Sequence, residues 1–372
     1  MSRLMRAGCL FLIGLLPAGT ALLYKTPPAG IEPATLTAEP GTKAVELVAV
    51  GDIMLARKVE RMMQAYGDDY PFAKIADEIY QADNAFGNLE SPLSTRGRAL
   101  PGKGICFRAR PALAGQLAEK GFDVLSIANN HALDYDTPAF NQTRQVLQEA
   151  GIATVGGGKN IDEARRPVIL EAKGLKIGFL AYTDYADVYF HPRYPRRFQA
   201  TNEVEGVAPL VEQDIRQDIN AIRPRVDILV VSLHWGVEYS HRPTAAQQRM
   251  AHAFIDSGAD LILGHHPHVL QGIERYNRGL IAYSLGNFIF DQNHRLETRQ
   301  ALMLKARITA QGLEEASIYP VFIDQSQPRL VAEEEARGIL PQLQSLSAEL
   351  GTTLEVGSHR AVLPRQSFPA EV

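Results

Sequence analysis

Asp260-Leu-Ile-Leu-Gly-His-His-Pro-His-Val-Leu-Gln-Gly-Ile273 sets the terms on which the rest of the chain is read. Leu261 to Leu263 is an apolar run of the length of a buried strand, and Gly264 ends it. His265, His266 and His268 then crowd together, with Pro267 stiffening the backbone between the last two. At the end of a buried strand alternate residues project to one side. His266 and His268 are therefore expected to present their imidazoles to one point, with His265 turned away. Imidazole is a common ligand of zinc, iron and manganese. A histidine-rich surface loop is the competing reading. Metal ligation is favoured because groups of matching chemistry stand upstream.

Those groups recur at the ends of apolar runs. Val45-Glu-Leu-Val-Ala-Val50 reads as a first strand and delivers Gly51-Asp52. Ala82 to Glu90 is a second, and the i, i+2 spacing of Asn88 and Glu90 aims two oxygen donors the same way. Phe122 to Ala128 delivers Asn129, Asn130 and His131, with Asp134 and Asp136 just beyond. Val226 to Leu233 ends in His234-Trp235-Gly236, and Leu280 to Leu285 in Gly286-Asn287-Phe288. In open α/β sheets ligands bind at the carboxyl ends of strands, so this recurrence says more than any single motif. Two carboxylates, amide oxygens and several imidazoles are the donor mix of a two-metal site. Such a site makes hydroxide available near neutral pH and clamps the oxygens of a phosphoryl displacement.

Elsewhere the chain reads as ordinary α/β. Pro209–Ile222, Thr244–Ser257 and Glu333–Leu350 are amphipathic helices. Val168–Leu170 and Leu175–Tyr182 form a hairpin turning at Lys173-Gly174, and Val155 to Gly158 is a glycine-rich turn. Ala301 to Ile323 holds closing strands, and the last twenty residues make a peripheral tail. Arg57 and Lys58 are assigned to a solvated helix face. In the segment 185–199, Tyr185, Tyr189, Phe190, Tyr194 and Phe198 interleave with His191, Arg193, Arg196 and Arg197. That composition suits a loop gripping an anionic polymer or a phosphate, against the alternative of a plain exposed insertion.

With 38 Lys and Arg against 42 Asp and Glu, and a formal net charge of −4, there is no electrostatic case for a nucleic-acid partner. The only cysteines, Cys9 and Cys106, exclude a disulfide framework and any cysteine-based metal site. Arg3 and Arg6 precede an apolar stretch from Cys9 to Tyr24, so residues 1–24 read as a signal peptide or membrane anchor. The stretch is shorter than the roughly 20 residues of a spanning helix, and a soluble core helix is the remaining alternative. Residues 25–42, rich in Pro, Ala and Thr, are a linker. The working domain is expected over 43–330, outside the cytoplasm, with a C-terminal helix and tail over 331–372.

Taken in order, Val50-Gly-Asp-Ile-Met-Leu55, Gly87-Asn-Leu-Glu90, Asn129-Asn-His131 with Asp134, His234-Trp-Gly236, His266-Pro-His268 and Ser284-Leu-Gly-Asn-Phe288 resemble a known set of motifs. They are similar to those of the calcineurin-like metallophosphoesterase superfamily. The likeness is greater to its capsule-synthesis CapA branch, the poly-γ-glutamate synthesis proteins. The resemblance covers Val45 to Gln292. It implies a four-layered α/β/β/α sandwich holding one or two divalent ions, of manganese, iron, zinc or magnesium. By the same resemblance Asp52 would hold a first ion, and Asn88 or Glu90 would bridge. Asn130, His234 and His266 would hold a second, while His268 returns to the first. His131 would give a proton to the leaving group, and Arg193, Arg196, Arg197 and Asn287 would contact substrate. The chain departs from the pattern at Met54, where the superfamily has a histidine, and at Asn88, where it has an aspartate. Both departures remove donors from the first position.

The expected function is synthesis or export of an anionic capsular polymer such as poly-γ-glutamate. The expected protein is anchored in the membrane by its N-terminal segment, or secreted or periplasmic. One alternative is a metal-dependent phosphoesterase or polymer hydrolase. The other is a non-catalytic, polymer-binding accessory subunit of a membrane synthase.

Overall fold

Val45-Glu-Leu-Val-Ala-Val-Gly-Asp-Ile53 contains no proline, and every residue but Val45's neighbour Glu46 is buried in the strand it forms, β1 (Val45–Ile53). Burial on both faces is the mark of a central strand covered on each side. The computed structural model describes residues 43–186 and 198–363. The expected leader and linker, and Arg193, Arg196 and Arg197 of the aromatic–arginine loop, lie outside the described residues.

After β1 come α1 (Arg57–Tyr66), α2 (Ala76–Tyr80), β2 (Asn84–Leu89), α3 (Leu113–Glu119), β3 (Val124–Ser126), α4 (Asp136–Glu149) and β4 (Ala153–Val155). β5 (Gly157–Gly158), α5 (Ile161–Ala164), β6 (Val168–Ala172), β7 (Leu175–Thr183) and β8 (Gly206–Val207) follow. Next are α6 (Glu212–Ile222), β9 (Ile228–His234), α7 (Ala245–Asp256), β10 (Leu261–His265), β11 (Ile273–Tyr276), β12 (Gly279–Ala282) and β13 (Asn287–Ile289). The chain closes with β14 (Gln300–Thr309), β15 (Gly312–Asp324), β16 (Gln327–Leu330), α8 (Glu333–Ala348), β17 (Glu355–Val356) and β18 (Ala361–Leu363). Local chemistry sets several boundaries. Thr244 caps α7 in a capping box with Gln247, and Asn160 caps α5 through the Glu163 amide.

One sheet runs β17-β18-β15-β14-β1-β2-β3-β4, parallel from β1 to β4 and antiparallel from β1 through β14 to β17. The other runs β11-β12-β10-β9-β7-β6, with a parallel centre and antiparallel edges. Their inner faces meet in one apolar core, where Leu47, Phe86 and Leu304 pack with Phe179, Val230 and Leu263. Phe86 stacks on Phe179 at 5.7 Å across that gap. The outer face of the first sheet packs Val48, Val50 and Leu125 against Val59, Met63, Leu117 and Phe140 of α1, α3 and α4. The outer face of the second packs Leu229, Val231 and Ile262 against Ile215, Ile219 and Phe254 of α6 and α7. The layers are therefore α/β/β/α, the expected sandwich.

Three readings of the sequence change here. The strand opened at Leu261 does not end at Gly264 but runs through His265. The glycine-rich segment expected as a turn holds a two-residue strand, β5, paired to β8. The expected peripheral tail contributes β18 to the first sheet, with Ala361 and Leu363 buried in the inter-sheet core. Apolar spacing within three residues is too short a signal to mark such an edge strand. α8 belongs to the same core through Ala336, Ile339, Leu340 and Leu343. No helix of the described residues is long and apolar enough to cross a membrane.

Close backbone approach holds the carboxyl ends of the two sheets in register. A Cβ on Gly264 would stand 1.8 Å from the Tyr283 carbonyl oxygen, and one on Gly51 would stand 1.9 Å from that of Gly286. Neither oxygen belongs to a flexible side chain that could yield. Gly264→Ala is expected to cost roughly 3 kcal/mol or more, or to prevent folding. Gly115→Ala, at an exposed position of α3 with open space around it, should stabilise by about 0.5–1 kcal/mol. Urea midpoints of the two variants should move in opposite directions.

Candidate metal centre

Register brings the strand-end residues together. Asp52 of β1 pairs across to Asn88 of β2 and to Asn287 of β13, while His265 of β10 pairs to His234 of β9. Leu261 and Leu263 face the inter-sheet core, so alternation puts His265 on the same side, toward Asp52. The pattern then breaks. His266 has φ 95° and His268 φ 58°, left-handed conformations that non-glycine residues adopt at a cost of order 1 kcal/mol or more. The turn brings His266 back beside His268, with ring centroids 5.9 Å apart, and beside His234 at 4.8 Å. The expected pair does converge, but by backbone strain rather than by strand alternation. His265 does not point away from the site.

Glu90, His266 and His268 are buried, and each offers a donor atom within 4.8 Å of the others'. Both carboxylate oxygens of Glu90 and both ring nitrogens of His266 lack a hydrogen-bond partner among the described residues. Buried polar atoms are rarely left so, and a divalent ion is the natural complement of a carboxylate between two imidazoles. The donor set fits such an ion. His268 is already oriented, because its Nδ1 lies 2.8 Å from Asn287 Oδ1, which leaves Nε2 for ligation.

Next to this group the side chains satisfy one another. The backbone N–H of His131 donates to Asn129 Oδ1 at 3.0 Å, which fixes the Asn129 amide. Asn129 Nδ2 then donates to Leu89 O at 2.9 Å and Asn88 Oδ1 at 3.1 Å. Asn88 Nδ2 in turn donates to Asp52 Oδ1 at 2.8 Å and reaches His234 Nδ1 at 3.2 Å. With Nδ1 accepting, His234 carries its proton on Nε2, 3.0 Å from Asn130 Oδ1 and 3.6 Å from Glu90 Oε1. Asp52 Oδ2 accepts the His266 N–H at 3.2 Å, and His265 Nδ1 stands 3.3 Å from Asp52 Oδ1.

Electrostatics follows burial. Burial, then the nearby Asp52 charge, holds the Glu90 carboxyl well above the usual range. Burial alone would raise Asp52 too, but His265, His268 and the Asn88 amide outweigh it and hold it below. Burial pushes His266 down to about 3 and His131 to about 4, and burial with the surrounding imidazoles holds His234 well below its ordinary value. His266, His131 and His234 are therefore neutral at pH 7, as metal ligation requires of an imidazole.

His131 stands beside the centre and is held from three sides. Its Nδ1 lies 2.7 Å from Asp134 Oδ2, and its ring stacks on Phe107 at 4.0 Å. Lys103 reaches Asp134, the Asn130 carbonyl and His131 Nδ1 together. Lys103 carried no signal in the sequence, since its loop has neither periodicity nor motif. Asn129 is half of an Asn-Asn pair, and nothing in the sequence separates its part from that of Asn130. Asn287, expected to touch substrate, is fully buried and spends its amide on His268, Gln292 and Thr298. Met54 is buried in the outer core, away from the donors, with its sulfur 3.1 Å from the Ala56 N–H.

Arg57 is exposed, as expected, and its guanidinium also lies over Phe107, 4.6 Å from the ring centroid, while it ion-pairs with Asp291. Phe290 lies 5.0 Å from His268, and Arg295 sits 4.6 Å over Tyr239, itself 6.3 Å from His268. Cations on aromatic rings thus rim the centre.

The direction of the amide relay is open to test. Asn129→Asp keeps the shape and the acceptor for the His131 N–H, but sets an oxygen against Leu89 O and Asn88 Oδ1. It should lower stability by about 2–4 kcal/mol, more than Asn129→Ser, read as the shift in urea midpoint.

Residues 46–292 match the family described as bacterial capsule synthesis protein PGA_cap. The chain is 31% identical over 292 residues to the capsule biosynthesis protein CapA of Bacillus anthracis, covering 77% of this chain and 69% of that protein. It is 31% identical over 290 residues to the PGA biosynthesis protein CapA of Bacillus subtilis (strain 168), covering 77% of this chain and 74% of that one.

Proposed function

The chain belongs to the PGA_cap family of bacterial capsule synthesis proteins, and on that premise we propose that it acts in making or exporting an anionic capsular polymer of the polyglutamate class. It works outside the cytoplasm, delivered by residues 1–24, through a centre that holds at least one divalent ion. The observation that carries this reading is the buried group Glu90, His266 and His268, with both Glu90 oxygens and both His266 nitrogens unpartnered. The ion, when bound, supplies a Lewis acid and a hydroxide near neutral pH.

The protein's own side chains do the rest. His131 is kept in one tautomer by Asp134, with Nδ1–H directed to the carboxylate, which leaves Nε2 to exchange a proton with substrate. Arg57 and Arg295 on their aromatic rings offer guanidinium groups to carboxylates or phosphates. Phe107 lies between Arg57 and His131, so an anion on Arg57 stands one ring removed from His131. That spacing suits a charge on the neighbouring unit of a polymer better than the reacting group itself.

Two versions of this function separate by experiment. In the first the centre hydrolyses a phosphoester or a polymer amide bond; in the second it only binds polymer beside a membrane synthase. With added manganese and a generic phosphodiester, the hydrolytic version predicts that His131→Ala lowers kcat at least about 100-fold. Equal rates for wild type and variant leave the binding version. In a polymer-producing cell that lacks its own relative of this chain, wild type should restore surface polymer and His266→Ala should not. Restoration by His266→Ala would overturn the centre's part in the function.

A further inference from the structure

We propose that the centre takes a single divalent ion at Glu90, His266 and His268, and that Asp52 is not a ligand but a positioning residue that pins the His266 backbone. The inference rests on reading this group as a metal site and decides what its neighbours do.

On the Asp52 side Asn88, Asn129 and His234 are committed inside the protein, while His265 turns Nδ1 to Asp52 Oδ1 at 3.3 Å and has no hydrogen-bond partner among the described residues. The His131 N–H can only donate and the Leu89 carbonyl can only accept, so the Asn129 amide between them has one orientation. That orientation presents Asn129 Nδ2 to Asn88 Oδ1, and the Asn88 amide must then turn its N–H groups to Asp52 and His234. An N–H cannot ligate a cation. At the place where a second ion would need an oxygen between Asp52 and His234, this chain sets a hydrogen-bond donor. His234 is spent in the same way, on Asn88 through Nδ1 and on Asn130 through Nε2.

Asp52 has contacts on both oxygens. Oδ1 takes the Asn88 amide and faces His265, while Oδ2 takes the His266 N–H and lies 3.6 Å from His268 Nδ1. The His266 bond matters most, because the residue it holds has φ 95°. A carboxylate accepting that N–H keeps a strained turn in the one conformation that sets His266 beside His268 and Glu90. Glu90 is the reverse case: fully buried, with neither oxygen partnered among the described residues. Within one site, one carboxylate is used up by the protein and the other is left for a cation.

Manganese stoichiometry and electron paramagnetic resonance of the purified, metal-stripped chain test this. Titrated with Mn²⁺, the wild type should take up one ion and give the six-line signal of an isolated Mn²⁺. Two ions, or the multiline signal of an exchange-coupled pair, would overturn the proposal without any variant. Glu90→Gln and His266→Ala should each weaken binding at least about 100-fold. Asp52→Asn keeps an acceptor for the His266 N–H and should still bind one ion within about tenfold of wild type, whereas Asp52→Ala should bind much more weakly. Loss of the ion in Asp52→Asn to the extent seen in Glu90→Gln would make Asp52 a ligand and overturn its positioning role. A wild type that takes up no ion defeats the metal reading itself. One that keeps its ion in both Glu90→Gln and His266→Ala defeats the ligand assignment instead.

Discussion

Two carboxylates, Asp52 and Glu90, lie fully buried at the join of the two sheets, and the surrounding structure answers to their cost. An ionised carboxylate moved from water to a protein interior loses several kcal/mol that only partners can return. The fold supplies those partners to Asp52 as N–H donors and imidazoles converging from β2, β10 and the turn that follows β10. To Glu90 it supplies nothing but nearby imidazoles that burial keeps neutral. The protein therefore folds around one compensated anion and one carboxyl whose charge burial disfavours. A cation bound beside Glu90 would favour the charged form and so couple binding to stability.

Such a junction needs backbone as well as side chains. Two sheets whose strands end at the same level can share a site only if their terminal residues approach closely. Gly51 and Gly264 permit this, since each lies against a carbonyl where no Cβ fits. Beyond Gly264 the chain must also reverse, which explains the left-handed residues at His266 and His268. Strain of order 1–3 kcal/mol at such a residue persists only where the surroundings over-determine it. A charge-assisted bond from the His266 N–H to Asp52, worth about 1.5–3 kcal/mol, is of the size required.

What the sequence made legible follows from the same physics. Buried parallel strands are continuous apolar runs, so β1, β9 and β10 stand out, and the polar residues at their ends mark the site. Asp52, Asn88, Glu90, His131, His234, His266 and His268 all stand at or beside this junction. Helices alternating with those runs make the α/β class legible, while the four layers follow only from the family resemblance. The part that stayed hidden depends on direction or on strain. His265 looks turned away in the sequence because Gly264 reads as the strand end, whereas β10 runs on through His265. The left-handed turn at His266 has no glycine to announce it. Whether Asn88 presents an oxygen or an N–H depends on a backbone amide some forty residues away at His131, and no local pattern carries that. Lys103 reaches the site through loop geometry, and its neighbours in the chain give no hint of it; Asn287 is legible as a strand-end residue, but not as the partner of His268.

The departures from the metallophosphoesterase pattern then form one arrangement rather than two separate losses. A histidine at position 54 would bring a donor to the Asp52 side; Met54 instead fills the outer core. An aspartate at 88 would set a second negative charge 2.8 Å from Asp52, which without an ion is strongly unfavourable; Asn88 instead donates a hydrogen bond there. Each change makes sense only with the other. With Met54 in place, no added donor at that position helps a cation to balance a carboxylate at 88, and with Asn88 in place Asp52 no longer needs a cation. Together they leave Asp52 and Asn88 hydrogen-bonded within the protein, beside a Glu90 and a His266 whose donor atoms are unpartnered among the described residues.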